Sequence, residues 1–244
     1  MITPIDALSL EASIVRNGAP TLTGAMPANL FTFPGRFAAS TPCTAVSATE
    51  VRENRAALHD AARVCATCLE HSGIRLSVLV WRGCGALLFL YRPDALERIF
   101  SIPEVHHAFE TAGYPSGDLD GCLDSLAERM AARGPCAVSA RHAATAVPSP
   151  QHPQRTAFPH EVGYLLGYPV ADVAGFINHA GKNCLVSGPW KVYQDRNRAL
   201  ALFERIRANT ARCRQRYRRG APSRAHRTQK PAARRTRRNG KDQL

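Results

Sequence analysis

The chain has 244 residues, 45% hydrophobic and 21% charged, the proportions of an ordinary globular protein with one sizeable core. Its formal net charge is +13, yet residues 1–213 hold 20 Lys or Arg against 18 Asp or Glu, which excludes a strongly basic body and leaves +11 for residues 214–244. There is no run of about 18 apolar residues, and "MITPIDALSLEAS" lacks a basic stretch followed by an apolar one, so the sequence predicts no transmembrane segment and a cytoplasmic location. Eight cysteines in such a chain do not predict a disulfide framework.

In chain order, Thr3 is placed to cap a first helix, with Pro4 at its first position and Asp6 at its third. Ile5, Leu8, Ala12 and Val15 then share a face, and Gly18 is expected to end the helix. "APTLTGAMPANLFTF" is punctuated by Pro and Gly and closes on Leu30, Phe31 and Phe33, a short buried strand or loop. Ser47 and Glu50 have capping-box spacing ahead of a long amphipathic helix carrying Val51, Leu58, Ala62, Cys65 and Leu69, which stops near His71 and Gly73. "IRLSVLVW" and "ALLFLYR" flank "RGCG" as a β-hairpin, and the nearly all-apolar second strand is expected to be central and covered on both faces.

Three helices follow. "PDALERIF" and "PEVHHAFETAGYP" each begin with Pro, and "DLDGCLDSLAERMAARG" aligns Leu119, Cys122, Leu123, Leu126 and Met130. Residues 134–157 have no period and are rich in Pro, Ala and Ser, which predicts a linker or surface insertion. After "PHEVGYLLGYPVADVAGFINHAG" come two short strands around Ser187 and Gly188, then a last helix capped by Asp195 and carrying Leu202, Phe203, Ile206, Cys213 and Tyr217. Strands separated by groups of helices indicate an α+β fold, a small and mainly antiparallel sheet packed with several helices, in a single domain over residues 1–217. Residues 218–244 are strongly basic with few apolar side chains and are expected to form a disordered tail, able to attract nucleic acid nonspecifically or simply to aid solubility.

Four segments, "APTLTG…ANLF" at 19–31, "LLFLYRPDALE" at 87–97, "GYPSG" at 113–117 and "PHEVGYLLGYPVADVAGFINHAGKN…SGPWKVYQD" at 159–195, carry a family signature. In these the chain resembles an uncharacterised bacterial family, domain-of-unknown-function family 3793. The resemblance implies a shared fold and no assigned activity. It also implies a cysteine where this chain has Gly18, and further family cysteines at Ser116, Ser187 and Asn209. If those thiols serve a nucleophile or a metal in other members, this chain lacks that activity; if they only fill core space, nothing is lost. The 134–157 insertion and the basic tail are additions to the family pattern.

The candidate chemistry gathers in the last of these segments. His160, whose imidazole titrates near neutrality, and Glu161 are candidates for general acid/base work. The bland reading has His160 capping or packing and Glu161 complementing a helix dipole. Tyr164 stands where a His-Glu-x-x-His zinc site needs its second His, and no metal site is expected. His179, Lys182, Asn183, Trp190 and Lys191 would line a polar pocket with an aromatic wall, suited to a small anionic or planar ligand, unless Trp190 and Tyr193 are core residues and the lysines are merely solvated. "GFINHAGKN" has five residues between its glycines and no Ser or Thr after the Lys, so it is not a phosphate-binding loop. The Cys65-x-x-Cys68 pair lies inside an amphipathic helix with no second pair at zinc spacing, which predicts buried thiols. Cys184 near His179 has no supporting nucleophile motif.

Three functions stay open at this level. The first is a ligand-binding or enzyme-like pocket in the C-terminal block, its cofactor, if any, undefined. The second is a nucleic-acid-associated protein, using a helix-turn-helix-like pair over 160–179 with Gly167 at the turn, or the basic tail. Against that helix pair, "PVADVAGFINH" offers no Arg or Lys and one acid, Asp172. The third is an interaction scaffold without a site.

Overall fold

In a computed structural model describing residues 4–39, 46–115, 119–132 and 158–220, the all-apolar strand is the centre of the molecule. The strands β1 (Ala28–Pro34), β2 (Arg75–Arg82) and β3 (Gly85–Tyr91) form one antiparallel sheet in the order β1-β3-β2. Every residue of β3 is buried. A strand with no wet face can carry apolar residues at every position, which is why its pattern does not alternate.

Alternation along β3 divides the core in two. Ala86, Leu88 and Leu90 face one side, where α1 (Ala7–Leu22) and α2 (Ala48–Glu70) supply Leu10, Ile14, Leu22, Leu58 and Leu69. Leu87, Phe89 and Tyr91 face the other, covered by α3 (Pro93–Phe100), α4 (Pro103–Thr111), α5 (Leu119–Ala131), α6 (Val162–Leu165) and α7 (Val170–Asn178). The ribbon of β4 (Val186–Ser187) and β5 (Lys191–Val192) packs with the first half of α8 (Arg196–Arg218) in a third cluster around Trp190, Phe203 and Ile206. This is the expected α+β architecture.

Caps place several helices where the sequence puts them. Ser47 Oγ accepts the Glu50 N–H at 3.0 Å, and the Asp195 carboxylate accepts the Arg198 N–H at 3.1 Å. The Glu50 carboxylate lies 3.7 Å from the Arg36 guanidinium.

The first helix differs from expectation. Its cap is Asp6, accepting the Ser9 N–H at 2.8 Å, and its buried stripe is Leu10, Ile14, Val15, Gly18, Ala19 and Leu22. Leu8 is 74% exposed. Gly18 does not stop the helix: a Cβ there would overlap Leu90 Cδ2, so the bare Cα lets α1 press onto β3. Pro20 is also inside the helix and has no N–H for the Arg16 carbonyl one turn back; the Arg214 guanidinium of α8 donates to that carbonyl instead. Arg92, just after β3, donates to the carbonyls of Thr21 at 3.0 Å, Leu22 at 3.3 Å and Ser72 at 3.1 Å, tying the ends of α1 and α2 to the sheet.

In β2 the pairing slips between Val78 and Val80, a bulge at Leu79. Val78 faces the α1 side, and after the bulge so does Trp81, three residues on, where it meets Phe37 at 5.5 Å and the Arg55 guanidinium at 5.3 Å. The proposed insertion at 134–157 lies outside the described residues, as does most of the 218–244 tail; α8 itself extends to Arg218. No helix among the described residues is long and apolar enough to cross a membrane.

Candidate functional site

The expected helix pair over 160–179 is one helical turn, α6, followed by the nine-residue α7. Glu161 is the N-cap residue of α6 and makes no side-chain cap hydrogen bond. Between the two elements Gly167 has φ +81°, and a Cβ on it would overlap the ring of Pro27. Glycine is needed there both for the left-handed turn and for the close approach. Pro169 then starts α7.

Asp172 corrects the reading of α7. It is 2% exposed and points inward. One carboxylate oxygen accepts the Trp190 indole N–H at 2.8 Å; the other accepts the backbone N–H groups of Tyr193 at 2.7 Å and Gln194 at 3.1 Å. A carboxylate taking three N–H bonds is the means by which a buried acid is tolerated. It fastens α7 to the β5 segment. Trp190 is then held between Tyr168, stacked at 4.9 Å, and Phe203, edge-on at 4.6 Å.

That packing leaves a cleft of about 440 Å³ between α6, α7 and the β4–β5 turn. Apolar and aromatic groups dominate its lining, among them Leu30, Phe158, Phe176 and Trp190. The polar side chains that line it include His160, Ser187 and Lys191, together with Asp172, whose oxygens already hold the three N–H groups. The His160 ring lies 5.0 Å from Phe176, edge-on, and 5.7 Å from Phe158. Lys191 Nζ donates to the Gly181 carbonyl at 2.5 Å and lies 5.8 Å from the Phe176 centroid.

The model of the family described as "Protein of unknown function (DUF3793)" matches residues 14–225 of this chain. The chain belongs to that family. No curated protein and no solved structure matches it. The whole cleft lies inside the matched region, whereas residues 226–244 fall beyond it.

Of the seven side chains singled out from the sequence, His160, Trp190 and Lys191 line the cleft. Glu161 is not among the lining residues. Its charge acts on Tyr114 and Tyr164, where it adds to burial, the larger cause, in raising both hydroxyl pKa values. His179 is exposed and stacks on Tyr193 at 5.6 Å with 7° between the planes. Lys182 and Asn183 are exposed in a turn where Ala180, Gly181 and Asn183 all have positive φ, outside the cleft lining.

The positions where the resemblance implies family cysteines do not converge. Gly18 lies against Leu90 on the α1 side of the sheet, whereas Ser187 lines the cleft on the other side. Asn209 is on α8, and Ser116 lies outside the described residues. The Cys65 thiol, in the α1–α2 core, donates to the Ala7 carbonyl at 3.7 Å, and burial pushes its pKa up to about 11. Among the described residues no three His, Cys, Asp or Glu side chains group to hold a metal. A larger cleft, of about 800 Å³, is walled by Glu70, Asp94, Glu97, Glu110 and Asp120 and contains none of the seven.

Sequence reasoning missed Asp172 as an anchor and Phe176 as a wall of the cleft. A polar residue on the more apolar face of a helix, eighteen residues ahead of a Trp, was the available signal for the first.

Proposed function

We propose that this protein binds a small planar ligand bearing an anionic group in the cleft between α6, α7 and the β4–β5 turn. The observation that carries the reading is the meeting of His160, Trp190 and Lys191 on a cleft otherwise lined mainly by apolar and aromatic side chains. Flat apolar walls suit an aromatic ring, and few polar groups among them set its orientation. Lys191 offers the positive charge, and two of its three ammonium donors remain after the bond to Gly181. Binding fits this geometry better than acid/base work by His160 with Glu161, because Glu161 is not among the residues that line the cleft.

Titration calorimetry with 2-naphthoate, a flat carboxylate, tests this. Saturable one-to-one binding is expected, weakened roughly tenfold by Lys191→Met, about 1.4 kcal/mol, and abolished by Ser187→Trp, which fills the mouth of the cleft. Absence of saturable binding, or equal binding by the Ser187→Trp variant, refutes the reading.

A further inference from the structure

The basic charge of this protein does not begin at the tail. Residues 1–195 hold 15 Lys or Arg against 17 Asp or Glu, so the body up to α8 is slightly acidic and all of the excess lies beyond it. From Arg196 to Arg219 there are nine arginines, no lysine and one acid, Glu204. All nine arginines are exposed, and Glu204 is paired with Arg207.

The helix is seated by its apolar stripe. Ala199, Phe203, Ile206 and Cys213 are buried, Asp195 caps the start, and Arg214 reaches the Arg16 carbonyl on α1. The remaining surface is therefore an ordered array. Arg198, Arg205, Arg212 and, at the C-cap, Arg219 repeat every seventh residue, which at α-helical spacing is a row with steps of about 10.5 Å and a length of about 31 Å.

We propose that this arginine row of α8 docks the phosphate backbone of a nucleic-acid duplex without reading its bases. Guanidinium groups bond phosphate oxygens through paired N–H donors, and the exclusive use of Arg over Lys fits that chemistry. Holding the row on a packed helix removes ordering cost from binding. A duplex presents about one phosphate charge per 1.7 Å of axis, twice the density of a single strand, and best matches eight arginines on one helix with a ninth at its C-cap. Base reading is not part of the proposal, because guanidinium–phosphate bonds position a protein on a duplex without carrying sequence information. A membrane surface is the weaker match. Interfacial helices insert an apolar face, but the apolar face of α8 is buried, and no large exposed apolar side chain lies on it.

The test is fluorescence anisotropy of a 24-base-pair DNA duplex with the full chain across a KCl series. Changing Arg198, Arg205, Arg212 and Arg219 together to Gln is expected to flatten the slope of log affinity against log salt by about 3 to 4. The same four changed to Lys should keep the slope within about one unit of the parent. If the fourfold Gln variant does not fold by circular dichroism, Arg205→Gln with Arg212→Gln replaces it, with an expected change of about 2. An unchanged slope in the helix variants overturns the proposal. So does binding lost only when tail residues Arg234, Arg235, Arg237 and Arg238 become Gln, or phosphatidylserine vesicles being bound while the duplex is not.

Discussion

At the scale of single residues, Asp172 matters most to the shape of the cleft. Its two oxygens hold three N–H groups from a segment about twenty residues away, and one of these fixes the Trp190 ring. Asp172→Ala leaves those donors buried without partners and should destabilise the fold by about 3 kcal/mol or more in urea unfolding. Asp172→Asn keeps one acceptor oxygen for the Tyr193 and Gln194 N–H groups but turns an amide N–H₂ toward the indole N–H. Combining it with Trp190→Phe, which removes the indole donor, should cost less than the sum of the two single changes; strict additivity would refute this account. His160 and Glu161 teach the complementary lesson: adjacent residues in sequence serve different surroundings, one the cleft and the other the tyrosines beyond it.

At the scale of elements, most boundaries follow from local chemistry. The Ser47 and Asp195 caps and the prolines that open α3 and α4 act within a few residues, so α2, α3, α4 and α8 are legible without any tertiary knowledge. The first helix is not, because both residues that look like breakers are accommodated from outside it: Gly18 by Leu90 of β3, Pro20 by Arg214 of α8. This gives a test bearing on the family contrast. Gly18→Cys should destabilise the protein by about 1 to 3 kcal/mol through overpacking, and Leu90→Ala in the same chain should recover part of that loss, with a coupling of at least about 0.5 kcal/mol in urea unfolding. A neutral Gly18→Cys would show that the contact is slack. The bulge in β2 is another element-scale feature without a local signal: read without it, strict alternation puts Trp81 on the opposite face from Val78.

At the scale of the whole molecule, three apolar clusters enclose groups that are kept protonated. Burial pushes the Cys65 thiol up to about 11 and also raises the hydroxyls of Tyr114, Tyr164 and Tyr168. The unfolded chain releases a thiol proton near 9.0, so above that pH the folded state binds more protons than the unfolded one. Stability is thus full below about pH 9 and falls as pH rises toward 11. The urea midpoint should decline over that window, less steeply in Cys65→Ala; a flat profile from pH 8 to 11 would contradict the burial of these groups.

What the sequence determined by itself was the class of fold, the hairpin with its buried second strand, the long capped helices and membership of the family. The family rests on matching segments; the fold elements rest on periodicity and capping, which act between residues three or four apart, or between near neighbours across a turn. Only the tertiary structure decided that Asp172 turns inward, that Gly18 is a contact and not a stop, and that His160 shares a cleft with Lys191 but not with Glu161. In each case the deciding partner lies far along the chain, and the direction a side chain takes is set by which distant surface the element is packed against.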